Sequence, residues 1–373
     1  MASLEKYGWD EDWSEQVTLA CRHNSQLRHS QPGRVGRVDR GACVVHVADG
    51  QITAASDSLR SQRVVAPATG DWVLVNEDEE LGWVVDLVLE RRTAIVRRDP
   101  SVDVVEQTIV ANVDVVVVVH GMDRDLGPAQ IERFLVLAAD SGARAVVVLH
   151  KADLCDEQGL VEASGVAEQL APGLPVIVTS VAGEAHRGLT ELRQQIGKQE
   201  TGVLIGVSGA GKSSITAALL GAGEVLSEIG RSDGGSDGGA DIRIGSVGKR
   251  GGRHVTVVRD LYQLPEGGVI IDTPGLRAVG LWAADAALDE VFSDIAGLAE
   301  GCRFRDCSHR IEPGCVVAKA VEQGELSADR LLRYQRLWEE LAQQSDDREE
   351  RERRQSRGRH RVVTTKRVRR GKR

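Results

Sequence analysis

Nowhere in this 373-residue chain does an apolar run reach the roughly 18–20 residues that a bilayer-spanning helix requires, which argues against a membrane partner. The opening MASLEKYGWDEDWSEQ is acidic, where a secretory leader is basic and then apolar. A cytoplasmic protein is the expectation. Cysteine is scarce as well. Six residues (Cys21, Cys43, Cys155, Cys302, Cys307, Cys315) are too few for a disulfide framework at this length. The last three fall so close together that they read as part of a metal site. What is present, 41% hydrophobic residues over this length, suits two or three cored domains.

The net charge of −9 averages two unlike parts. From Arg348 to Arg373 thirteen Lys or Arg face three Glu, a local +10, so the rest of the chain carries −19. An acidic body with a basic tail, residues 346–373, suggests a polyanion held at one end. A merely solvated tail is the plain alternative.

Residues 1–32 are polar, hold Trp9 and Trp13, and show no sustained period, so a loosely ordered extension is expected there. Over residues 33–100 the texture becomes short apolar segments between turns: GRVGRVDR, ACVVHVADG, QRVVAPATGDWVLVNE, LGWVVDLVLE and RTAIVRR. Five strands at this spacing predict a small antiparallel barrel of the oligonucleotide-binding (OB) type, with an SH3-like barrel as the alternative. Residues 101–283 alternate β-branched runs (VDVVVVVHG, ARAVVVLHKADL, LPVIVTS, GVLIGVSG, GGVIIDTPG) with helical segments such as PAQIERFLVLAADSG. That alternation predicts an α/β domain with a parallel sheet covered on both faces. The stretch from Arg231 to Gly252 is rich in glycine and poor in apolar residues, and reads as a loop. Residues 284–345 turn helical around the cysteines.

Gly206, Val207, Ser208, Gly209, Ala210, Gly211, Lys212, Ser213 and Ser214 fit the phosphate-binding pattern G-x-x-x-x-G-K-[ST], after a strand and before a helical run. Glycines let backbone N–H groups wrap phosphate, Lys212 reaches the terminal phosphates and Ser213 ligates magnesium. Asp272-Thr-Pro-Gly275 follows the strand VII, where such proteins put an acid that holds magnesium and a glycine that senses the γ-phosphate. His150, Lys151, Ala152 and Asp153 end another strand and resemble N-K-x-D, with Asp153 as acceptor for the guanine N1–H and N2–H. An ordinary strand-end turn is the plain alternative. Thr179, Ser180 and Val181 end the next strand, where a small residue meets the guanine O6. The guanine-reading motifs precede the phosphate loop, so joining all of them in one site requires a circularly permuted P-loop GTPase domain.

Cys302, Cys307, His309 and Cys315 supply three thiolates and an imidazole, a set that closes a tetrahedral, structural zinc. Arg303, Arg305 and Arg310 lie among them and would face RNA phosphate.

With these residues in view, the chain resembles the bacterial small-ribosomal-subunit-dependent GTPase A family. The likeness runs from Gly33 to about Glu340 and includes ATGDWV, ERRTAIVRR, ANVD, the permuted nucleotide motifs, GRHVT and the cysteine cluster. It implies an N-terminal OB-type barrel, a permuted GTPase domain and a C-terminal zinc-binding helical domain. It also implies a late assembly factor that binds the small ribosomal subunit and its rRNA, takes GTP or GDP with magnesium, and leaves after hydrolysis. A monomer is expected. Two departures stand out: His150 replaces the usual Asn, and the family's H-T-T reads His254-Val255-Thr256, retaining in Thr256 the expected ligand of magnesium and γ-phosphate. Leu276 stands where other GTPases carry the glutamine that orients water, so His254, which matches the family's histidine, becomes the catalytic candidate. A loop histidine that only packs is its plain alternative. The rival function is an RNA-binding protein that keeps GTP as a structural ligand. A P-loop ATPase or kinase is a weaker option, against which Asp153 argues.

Overall fold

The computed structural model describes residues 4–56, 65–98, 106–183, 186–221, 259–273 and 284–343. The glycine-rich stretch 231–252, His254, Thr256, Gly275, Leu276 and the tail 346–373 lie outside the described residues. Two compact units are present: one within Met1–Ile95 and Thr108–Ala278, the other within Val96–Gln107 and Val279–Arg373.

The expectation of a loosely ordered N-terminal extension does not hold for its described residues. Helix α1 (Glu11–His23) is capped by the Asp10 carboxylate, which accepts from the Trp13 amide at 3.1 Å. Trp9 and Trp13 stand one turn apart and pack with Leu4 and Leu27 onto Trp72, Leu74 and Leu89. Each buried indole contributes roughly 2–3 kcal/mol, stabilisation that an isolated helix this short would lack. Arg92 fastens the cap with bonds of 2.6 and 2.7 Å to Asp10, its guanidinium 4.1 Å from the Trp13 ring centroid.

The barrel closes from β1 (Gln31–Val38), β2 (Ala42–Val47), β3 (Gly50–Ala55), β4 (Trp72–Asp78) and β5 (Gly82–Val88), in the order β1-β2-β3-β5-β4. β1 pairs antiparallel with both β2 and β4, and β3 runs parallel to β5, which is the OB-type arrangement. Val35, Val45, Val47, Val73, Val75 and Val85 fill its interior. The five-strand count is right, but its membership needs correction. RTAIVRR is not a barrel strand: β6 (Ala94–Arg98) pairs with β7 (Glu106–Ala111) in a separate two-stranded sheet. The missing barrel strand is β3, whose GQITAA carries too little apolar bulk to read as a strand. It folds back through a two-residue turn in which Val47 faces Gly50.

The six-stranded sheet has the order β10-β9-β8-β11-β13-β12. Its strands are β8 (Val115–Gly121), β9 (Arg144–His150), β10 (Val176–Thr179), β11 (Thr201–Ile205), β12 (Asp260–Gln263) and β13 (Val269–Asp272), and only β12 is antiparallel. Helices α2 (Pro128–Ser141), α3 (Glu157–Leu170) and α4 (Leu189–Gln194) connect the parallel strands from β8 to β11, and α5 (Lys212–Leu219) follows β11. Every residue of β8 is buried, as a run of β-branched side chains in a central strand requires. Val115, Val117 and Val119 pack with Leu189, Leu192 and Ile215. The chain enters the sheet in the middle at β8, builds out to β10, then returns to β11 on the other side of β8. The crevice at the carboxyl ends of β8 and β11 is therefore a topological switch point, where open α/β sheets bind ligands.

Motif residues in ATGDWV, ERRTAIVRR and ANVD join barrel to sheet within this unit. Arg34 of β1 is buried, 4.8 Å from the Trp72 ring centroid, and donates to the carbonyls of Tyr7 (2.8 Å) and Asn112 (3.0 Å) and to the Thr201 hydroxyl (3.0 Å). Burial pushes its guanidinium down to about 10, still protonated at neutral pH. Fully buried Asp71 accepts two bonds from Arg91, at 2.8 and 2.7 Å, and one from the Ala68 amide at 2.7 Å. Arg91 goes on to the Thr108 hydroxyl at 2.6 Å. Gly70, at φ +93°, lies so close to Ala111 that a Cβ there would stand 2.2 Å from the Ala111 oxygen.

The second unit holds α6 (Asp285–Val291), α7 (Ser293–Ala299), α8 (Val316–Glu322) and α9 (328–343). Phe292, Ile295, Val317, Ala320, Tyr334 and Leu337 are buried in it. Arg330 clasps Asp294 with bonds of 2.6 and 2.9 Å.

Candidate nucleotide site and Cys3His cluster

The phosphate loop leaves β11 at Gly206 and enters α5 at Lys212. Gly211 has φ +98°, and a Cβ there would lie 2.2 Å from the His150 ring, so the backbone approaches as only glycine permits. The Lys212 side chain is buried over the loop, its Nζ donating to the carbonyls of Gly206 and Val207, both at 2.9 Å. The Ser213 hydroxyl donates to Asp272 Oδ2 at 2.9 Å, which brings the end of β13 to the start of α5. The other oxygen, Oδ1, is buried without a hydrogen-bond partner among the described residues. Burial raises the Asp272 carboxyl, against the opposing pull of Ser213 and Lys212. A buried carboxylate oxygen with spare lone pairs beside a hydroxyl fits a hard cation such as magnesium, held directly or through water.

The base-reading segments lie at the neighbouring strand ends. Asp153 accepts from the Ser180 hydroxyl, and the Ala182 amide donates to that same hydroxyl oxygen at 3.1 Å. Lys151, at φ +65°, reaches across to the Gly209 carbonyl and to Asp123 Oδ2 at 2.9 Å. His150 is buried, its Nδ1 2.9 Å from the Thr179 hydroxyl and its ring against Gly211. Burial first, and then Lys151, push the imidazole below its ordinary value, so it is neutral. His150 thus ties the ends of β9 and β10 to the phosphate loop. Ala152 and Thr179 are buried, Val181 is half-buried against the core, and Ser208, Gly209 and Ser214 are exposed. Segments 150–153, 179–181, 206–214 and Asp272 therefore converge despite their permuted order.

Two residues at this convergence escape the sequence reading. Asp123 and Arg124 follow β8, and Asp123 pairs with both Arg124 and Lys151. Arg124 first, and then Lys151, hold the Asp123 carboxyl well below the usual range. The available signal was strand order: β8 lies between β9 and β11, so its end had to enter the site.

In the second unit the ligand atoms of Cys302, Cys307, His309 and Cys315 lie within 4.8 Å of one another. Cys302 Sγ is 3.9 Å from Cys315 Sγ, and His309 Nδ1 is 3.7 and 3.5 Å from these two sulfurs. A tetrahedron with zinc–sulfur bonds of about 2.3 Å has edges of roughly 3.8 Å, so the donor set fits zinc. Glu312 braces the loop by accepting from the Ser308, Arg310 and Ile311 amides, and Gln335 of α9 donates to the Ser308 and His309 carbonyls.

Comparison with known proteins agrees with this geometry. The sequence signature of the RsgA GTPase family matches residues 88–282. The chain is 41% identical to the small ribosomal subunit biogenesis GTPase RsgA of Streptomyces coelicolor over 343 residues, covering 91% of this chain and 87% of that protein. It is 36% identical to the protein of the same name from Syntrophotalea carbinolica, covering 91% and 90%. Among solved structures it is similar to YjeQ from Thermotoga maritima, with TM-score 0.58, 25% identity, and 84% and 99% of the two chains covered. YloQ, a circularly permuted GTPase, shares the fold with TM-score 0.58, 23% identity, and 85% and 97% coverage.

Proposed function

The chain belongs to the RsgA GTPase family, and from that premise we propose that GTP hydrolysis at the converged site times its release from the small ribosomal subunit during late maturation. Relatives carry the name small ribosomal subunit biogenesis GTPase. The observation that carries the reading is the Ser213–Asp272 pair with its spare buried oxygen at one end of the site and the Asp153–Ser180 pair at the other. The first suits a metal-bound triphosphate and the second a guanine edge.

In this reading Lys212 and the loop amides hold the phosphates, while Ser213, Asp272 and Thr256 would hold magnesium, which would supply neutralisation of the triphosphate's charge. Asp153 selects guanine, the stem of Lys151 covers the ring, and His150 keeps the two ends in register. Gly275 senses the γ-phosphate and His254 positions the attacking water. One structural zinc on Cys302, Cys307, His309 and Cys315 holds the second unit together. The barrel, Arg303, Arg305, Arg310 and the basic tail contact rRNA. The protein acts in the cytoplasm as a monomer.

The test is GTP turnover with and without purified small subunits, for the wild type and His254→Ala. The expected result is slow intrinsic turnover and strong stimulation by the subunit. His254→Ala is expected to keep nucleotide and subunit binding but to lose about ten- to a hundredfold of the stimulated rate. A wild type that binds GTP and subunits without stimulated turnover would overturn the enzymatic reading in favour of GTP as a structural ligand. Full stimulation in His254→Ala would take the water from His254.

A further inference from the structure

Arg124 stands at the convergence described above without an assigned role, yet its position is specific. The Gly209 backbone marks the middle of the phosphate loop, and Lys151 reaches the Gly209 carbonyl from the base-reading end. Gly209 therefore lies where the base half of the site meets the phosphate half. On this same glycine, at φ +81°, the vacant Cβ position lies 3.4 Å from Arg124 Nη2. Among the described residues the guanidinium, its side chain 40% exposed, is held by Asp123, at 3.2 Å from Nη2 to Oδ2. Asp123 also serves Lys151 at 2.9 Å, so one carboxylate balances two cations at the mouth of the loop.

A surplus positive charge beside a loop built to bind phosphate favours an anion there, and a forked guanidinium suits phosphate oxygens. The location selects which phosphates. Arg124 stands at Gly209, in the middle of the loop, whereas the metal end, Ser213 with Asp272, is built at the start of α5, after Lys212. We propose that Arg124 is a nucleotide-binding residue that contacts the diphosphate portion common to GDP and GTP, turning to it from Asp123, and takes no part in cleavage of the terminal phosphate. This rests on the guanine-nucleotide reading of the site.

The experiment measures affinity for GDP and for a non-hydrolysable GTP analogue, together with kcat at saturating GTP, in wild type, Arg124→Ala and Arg124→Lys. The expected loss in Arg124→Ala is about tenfold for both nucleotides alike, the size of one charge-assisted hydrogen bond, with kcat unchanged. Arg124→Lys is expected to recover most of the affinity, and the salt dependence of binding is expected to be shallower in Arg124→Ala than in the lysine variant. Unchanged affinity in Arg124→Ala overturns the proposal. So does a loss confined to the GTP analogue, or a fall in kcat with affinity intact, either of which would place Arg124 at the γ-phosphate. A wild type that binds neither nucleotide would defeat the underlying reading instead.

Discussion

The two units solve the problem of cohesion in opposite ways. In the first, the apolar faces of a buried parallel sheet and a closed barrel supply the core, and charged residues such as Arg34 and Asp71 are spent on joining the parts. In the second, helices bury a smaller apolar set that includes Leu288, Phe292, Ile295, Tyr334 and Leu337, and a Cys3His set gathers the loop between α7 and α8. A sheet tolerates the loss of a polar contact because its apolar burial remains. The loop that carries the proposed metal site has no such reserve.

The sharpest way to break this contrast is to remove one ligand. Cys307→Ala removes one ligand of the proposed zinc site and is expected to lose most of the roughly 10 kcal/mol or more that such a site contributes, and with it the fold around the cluster. GDP binding by the first unit should persist, since none of its site residues lies there. Hydrogen exchange resolved by segment would check both halves, and parallel loss of protection in both units would show that they do not differ in this way. Asp71→Ala probes the other side of the comparison. It strands Arg91 and the Ala68 amide at the barrel junction and is expected to cost about 3 kcal/mol in denaturant unfolding of the first unit. A cost under about 0.5 kcal/mol would mean that apolar burial alone holds the junction.

The smallest expected effect is a pH dependence confined to the barrel. His46 stacks on Tyr7 with centroids 4.7 Å apart, and burial, with help from Lys6 and Arg34, pushes its imidazole down to about 4. Its folded value lies below the unfolded one. The neutral form's contribution is therefore fully present above about pH 6.5 and drains away as pH falls toward 4, at most about 3 kcal/mol in all. Melting of the first unit should show that slope, and His46→Phe should flatten it while keeping the stack. An unchanged slope in His46→Phe would assign the acid sensitivity to other groups.

What the sequence made legible followed from how local each signal is. The loop 206–214, the strand before it and the helix after it are contiguous, so spacing alone exposed them, and the same holds for the cysteine cluster. The stripe Trp9, Trp13, Val17, Ala20 and Cys21 was present in the sequence, but its period is carried by only a few side chains on an otherwise polar helix. What makes it a helix is Trp72, far away in the barrel. The strand β3 was missed because its neighbours in the barrel, rather than its own bulk, hold it. Asp123 and Arg124 carry no motif at all. Their place in the site exists only once β8 lies between β9 and β11. Buried Arg34 likewise reads as a surface charge until its three acceptors arrive from residues 7, 112 and 201.

The order in which strands enter the sheet also sets a timetable for synthesis. Strands β8, β9 and β10 are contiguous in the sheet and leave the ribosome together, carrying residues 150–153 and 179–181 with them. β11 and β13, which bring the phosphate loop and Asp272, emerge later and add to the exposed flank of β8. A nascent chain thus contains segments 150–153 and 179–181 before the phosphate loop has been made. Because a domain folds as a unit, the sheet is complete only when β11 has covered the free edge of β8 and β13 has followed it.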